Sequence, residues 1–105
     1  AKKNKFSKDV KLKKGMILSN EPGFYKKDKY GIRIENLIVI IRNDKNLEFE
    51  TISFVPIDLE LIDHKLLNQN EKNWLNKYHK KVFLKLKNHM NKKQFLWLKE
   101  ITKPI

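Results

Sequence analysis

Two short blocks hold the residues of this chain best suited to chemistry: Ser19-Asn20-Glu21-Pro22-Gly23 and Tyr30-Gly31-Ile32-Arg33-Ile34-Glu35-Asn36. Each sets one glutamate in an otherwise apolar strand, where an ionised carboxylate is costly. A hairpin turning about Asp28 would leave Glu21 and Glu35 equidistant from its centre, hence opposite one another on one face. Like charges so placed repel unless a cation lies between them. A divalent ion would remove that conflict, and hard oxygen ligands suit manganese, magnesium or zinc in a two-metal hydrolytic site. Taken by themselves, the same residues also fit two ordinary carboxylates on a solvated strand face, with Arg33 as a surface ion-pair partner.

The elements that must position these groups follow from the flanking sequence. Lys14-Gly15 predicts a turn, residues 16–20 a short buried strand, Pro22-Gly23 its break, and residues 26–29 a solvated loop. Residues 31–41, rich in isoleucine and valine, predict the strongest strand, and residues 43–46 turn the chain back. A third strand is expected over 47–55, ended by Pro56, which cannot donate to a ladder. After Asp58 the apolar period moves from two toward 3.6. Asn68 and Glu71 form a capping box, and Trp74, Tyr78, Val82 and Leu86 follow at four-residue spacing with lysines on the other side. A second helix is expected over 93–101, with Pro104 beyond its end. The order is α+β: three antiparallel strands followed by two helices.

Composition narrows the classes of function. The chain has 105 residues, one domain's worth, with 24 basic and 12 acidic side chains and a formal net charge of +12. That balance suggests nucleic acid or an anionic membrane. Its distribution argues otherwise, because only Arg33 and Arg42 are arginines and the lysines are scattered among asparagines and isoleucines. No specific nucleic-acid partner is expected. Cysteine is absent, which excludes disulfides and thiolate metal sites and makes a cytoplasmic location the default. The longest apolar run, residues 37–41, is too short for a membrane span, and the lysine-rich start lacks the apolar stretch of a secretory signal. Residues 1–14 hold seven lysines and one acid, and predict a mobile entry segment that becomes ordered near Val10 or Leu12. The opening at Ala1 fits either methionine removal or a fragment.

The run Met16-Ile17-Leu18-Ser19-Asn20-Glu21-Pro22-Gly23-Phe24-Tyr25, with Tyr30-Gly31-Ile32-Arg33-Ile34-Glu35-Asn36-Leu37 after it, resembles the last part of aminopeptidase P (Xaa-Pro aminopeptidase). Phe49-Glu50-Thr51, Val55-Pro56-Ile57-Asp58 and Trp74-Leu75-Asn76-Lys77-Tyr78-His79 resemble that family's C-terminal region. The resemblance implies a pita-bread fold, with residues 1–60 ending the catalytic domain and residues 61–105 forming a C-terminal helical extension. It implies a hydrolase that removes an N-terminal residue preceding proline, using two divalent ions, usually manganese, held by two aspartates, a histidine and two glutamates. Glu21 matches the first glutamate, which binds one ion and is implied to accept a proton from water. Glu35 matches the second, which bridges both ions, and Arg33 matches an arginine that orients the carboxylates from outside the metal shell.

In that family the aspartates and the histidine lie upstream. His64, His79 and His89 all follow Glu35, so none can be that histidine. Two carboxylates alone do not hold an ion pair for catalysis, and the isolated chain is expected to be inactive. Peptides with proline in second position and a homodimer through the C-terminal region are the implied partners; no membrane partner is expected. The alternative is a non-catalytic remnant or split-gene product acting as an interaction or dimerisation module. Pro22-Gly23 reads as a backbone device fixing Glu21, Tyr25 and Tyr30 are assigned no substrate contact, and Trp74, Tyr78, Phe83 and Trp97 read as core or interface. His79 and His89 read as partly exposed structural histidines.

Overall fold

The structure, a computed structural model, describes residues 9–105. The expected mobile entry segment lies, through residue 8, outside the described residues. The chain forms two compact units, the first ending at Ser53 and the second beginning at Phe54.

The first unit holds β1 (Ile17–Asn20), β2 (Gly23–Lys26), β3 (Tyr30–Arg33), β4 (Asn36–Asn43) and β5 (Asn46–Thr51). β1, β4 and β5 make the expected three-stranded antiparallel sheet, in the order β1-β4-β5, while β2 and β3 make a separate two-stranded ribbon. The single strand expected over 31–41 is therefore two, and part of the expected break and loop is strand β2. Proline is the cause. Pro22 has no N–H to give, so only the Ile34 N–H donating to the Pro22 carbonyl at 3.1 Å crosses the gap. The register passes through it unshifted: Asn20 faces Asn36 on one side and Gly23 faces Arg33 on the other. Both pairs are centred on Asp28, which takes φ 58° at the ribbon's turn, as Asp44 does between β4 and β5. Aspartate tolerates this left-handed backbone better than most residues. Gly15, at φ 89°, makes the turn before β1 and donates its N–H to the Ile40 carbonyl at 2.8 Å. β5 stops at Thr51 and not at 55, yet Ile52 N–H still reaches the Leu37 carbonyl at 2.9 Å, and Leu37 N–H donates to the Ser53 hydroxyl at 2.7 Å.

In the second unit, Asp58 and Asp63 each open a single 3-10 turn by accepting backbone N–H groups, from Glu60 at 3.0 Å and Lys65 at 3.1 Å. α1 (Gln69–Leu86) starts at the expected capping box, with both Asn68–Glu71 bonds present. A second capping box, Asn91 with Gln94, starts α2 (Lys92–Ile101). The core is Tyr78, Val82 and Leu98, flanked by Phe54, Ile57, Phe83 and Ile101. Val82 and Leu98 are wholly buried, and burial of such side chains stabilises by roughly 1.5–3 kcal/mol each.

The buried stripe of α1 is Leu75, Tyr78, His79 and Val82, turned from the expected row. Trp74 stays half-exposed and stacks on Tyr78, ring centroids 5.4 Å apart. This corrects the expectation for His79, which is fully buried because it sits one turn from both Leu75 and Val82. His89 is exposed. Among the described residues no helix is long and apolar enough to cross a membrane.

Candidate metal centre

Glu21 and Glu35 fall in the interruption itself, Glu21 between β1 and β2 and Glu35 between β3 and β4. Both are exposed here, so the desolvation cost expected of carboxylates inside strands does not arise. Their positions sum to the same centre as every pair around them, and with no bulge the alternation of side chains carries through. Ser19, Glu21, Gly23 and Tyr25 on one arm thus share a face with Gly31, Arg33, Glu35 and Leu37 on the other.

Contacts run along that face. Glu21 is held below the usual carboxylate range, first by a hydrogen bond with the Ser19 hydroxyl, then by one shared with Glu35, and also by the positive charge of Arg33. Arg33 Nε lies 3.3 Å from Glu35 Oε2. The guanidinium is pushed above its ordinary pKa, foremost by its hydrogen bond to the Tyr25 hydroxyl and next by the charge of Glu35. Tyr25 reaches Arg33 because its ring lies across two glycines. A Cβ on Gly31 would stand 2.7 Å from Tyr25 Cδ1, and one on Gly23 would stand 2.8 Å from the Tyr25 hydroxyl oxygen. With both acids open to water, these contacts order the groups more than they stabilise the fold.

The donor set fits part of a hard-cation site: two carboxylates converge from facing arms, oriented by an arginine and a serine. It is not a whole site, since no group of three or more His, Cys, Asp or Glu among the described residues could hold an ion. Sequence reasoning did not single out Ser19 or assign Tyr25 a contact. The signal that finds them is the two-residue alternation from Glu21 and Arg33.

Residues 45–105 match the family described as the C-terminal region of peptidase M24, and residues 2–42 match metallopeptidase family M24. A probable Xaa-Pro aminopeptidase P of Coprinopsis cinerea is 42% identical over 104 residues, which are 90% of this chain and 17% of the relative. An Xaa-Pro aminopeptidase of Caenorhabditis elegans is 39% identical with the same coverage. The crystal structure of X-prolyl aminopeptidase from Caenorhabditis elegans, described as a cytosolic enzyme with a di-nuclear active site, superposes with a TM-score of 0.80 at 38% identity, over 90% of this chain and 17% of that one. The α+β arrangement is accordingly that of the C-terminal portion of a pita-bread fold, and the chain spans about a sixth of the length of these relatives. The chain belongs to metallopeptidase family M24, on the Xaa-Pro aminopeptidase branch.

Proposed function

We propose that this chain supplies Glu21 and Glu35 to the dinuclear metal site of an Xaa-Pro aminopeptidase, with manganese as the metal and peptides bearing proline in second position as substrates. Residues 1–60 would end the catalytic domain and residues 61–105 would form its helical extension. The supporting observation is the unshifted register that sets Glu21 and Glu35 opposite one another on one face, with Arg33 Nε 3.3 Å from Glu35 Oε2. Bound ions of this kind supply Lewis acidity for the attack of water on a peptide carbonyl. Glu35 offers both oxygens from a position fixed by Arg33, which Tyr25 holds in turn. Glu21, kept ionised by Ser19, is free to bind a cation or to take the proton of the attacking water at a carboxylate oxygen. The chain alone is inactive on this reading, and the working enzyme is cytoplasmic, as the nematode relative is described to be.

The test is a graft. This chain replaces the matching end of the nematode X-prolyl aminopeptidase, and manganese-dependent cleavage of an Xaa-Pro peptide is assayed. The graft should be active, Glu21→Gln and Glu35→Gln should each abolish turnover and weaken metal binding, and the isolated chain should show none. Full activity in either variant, or turnover by the chain alone, overturns the proposal. A second reading, a dimerisation module without catalysis, draws on the exposure of Trp74 (50%) and Trp97 (56%) in the second unit. An inactive graft together with a stable homodimer of the isolated chain would favour it.

A further inference from the structure

The second unit carries a groove that the metal site does not explain. It has a volume of about 470 Å³ and lies between α1 and the exit of α2, with Phe83 and Pro104 in its walls and Lys77, Lys80, Lys99 and Lys103 around them. No carboxylate lines it. Lys103 is paired with Glu100 at 2.6 Å, while Lys77, Lys80 and Lys99 meet no carboxylate among the described residues. The walls are held in place from behind. The Asn76 side chain clasps the backbone of Ile105, donating to its carbonyl at 3.1 Å and accepting its N–H at 2.9 Å, which fixes Pro104. The Thr102 hydroxyl donates to the Leu98 carbonyl at 2.7 Å. The volume lies within the ~300–1,000 Å³ range of ligand-sized sites.

We propose that this groove docks an acidic segment of a partner polypeptide that also carries an aliphatic or aromatic side chain. Charge complementarity selects the acid, because three lysines of the lining meet no carboxylate among the described residues and no acidic residue lines the groove to repel an anion. The apolar floor selects a side chain over a bare anion, and the lysine stems extend that floor. A nucleic acid is the poorer fit. Phe83 already packs against Phe95, ring centroids 5.5 Å apart, and has the Lys87 ammonium at 5.9 Å from its ring, so it competes poorly as a stacking platform for a base.

The test uses the full chain and a fluorescein-labelled octapeptide of alternating glutamate and leucine, followed by anisotropy at physiological salt. Octaglutamate and a single-stranded oligothymidylate serve as comparators. The peptide should bind, and Lys77→Ser, Lys80→Ser and Lys99→Ser together should weaken it by about tenfold. The same charge change at Lys11, Lys13 and Lys45, exposed residues of the other unit, should leave affinity within about twofold. Absence of peptide binding overturns the proposal. So does equal weakening by both triple variants, which would mark general attraction to a +12 chain, and so does binding of either comparator as tight as the peptide's.

Discussion

Ser19 governs the ionisation of Glu21 ahead of the nearby arginine, since its hydroxyl bond is the foremost cause of the lowered pKa. Replacing Ser19 by alanine should therefore raise the Glu21 pKa, and a carbon-13 titration of the side-chain carboxyl reads the change; an unmoved midpoint would refute the assignment. The sign follows from linkage. A carboxyl with a depressed folded pKa favours the folded state above its ordinary pKa, and that contribution is lost as pH falls through the depressed value. Glu21 is open to solvent, so the titration is the sensitive readout and melting temperature is not. Gly31 tests the other end of the row. Its alanine variant must displace the Tyr25 ring, which would stand 2.7 Å from the new Cβ. Arg33 then loses its phenolic acceptor while its Nε still faces Glu35, so faster exchange of its Nη protons should appear in Gly31→Ala and in Tyr25→Phe alike. The pairing of Glu21 with Glu35 was legible in the sequence because it needs only a hairpin centre and an unshifted register. Ser19 and Tyr25 were passed over because Pro22-Gly23 reads as an end, whereas the alternation runs straight through it.

His79 decides how α1 responds to acid. It is completely buried, Ile57 N–H donates to its Nε2 at 3.0 Å, and its Nδ1 has no partner. Burial lowers its pKa. A backbone contact here would favour the charged ring only if a carbonyl accepted from it; the N–H donates instead, so the contact favours the neutral ring. With a folded pKa below the unfolded one, stability is full above the unfolded histidine value of about 6.5 and falls toward the folded pKa, by up to ~1.4 kcal/mol per pH unit. Thermal melts between pH 7.5 and 5 should show this decline, and His79→Leu should flatten it. The same variant strands the Ile57 N–H and should lose about 1–3 kcal/mol at neutral pH; an undiminished slope would mean another group senses the acid. At this scale the helices were legible where a local device sets them, as the Asn68–Glu71 box does. The burial of His79 was not, because a histidine in an amphipathic repeat is polar by type and apolar by position. The split of the long strand into β3 and β4 was missed for a different reason: the proline responsible lies on the opposite arm of the hairpin, outside the apolar run it interrupts.

At the scale of the whole chain, the sheet has open borders. Among the described residues β1 and β5 flank β4 with no strand beyond either, and β5 leaves Leu47 at 45% and Phe49 at 59% exposure. Such an edge offers unpaired backbone groups beside apolar side chains and invites strand addition. Opposing it is the +12 charge of the chain, which keeps copies apart at low ionic strength and is screened as salt rises. Self-association should therefore increase with salt, the reverse of an interface built on ion pairs. Light scattering coupled to size-exclusion chromatography over a salt series measures it. Leu47→Lys with Phe49→Lys adds charge along the edge and should hold the chain monomeric, while Trp74→Ser with Trp97→Ser should change little. The opposite pattern, in which the tryptophan pair abolishes association and the lysine pair does not, would place the interface on the helical unit and overturn the edge argument. Grafting gives a second readout. If the edge is covered by the remaining five-sixths of a relative's length, the wild-type graft should lose the salt-driven association that the isolated chain shows.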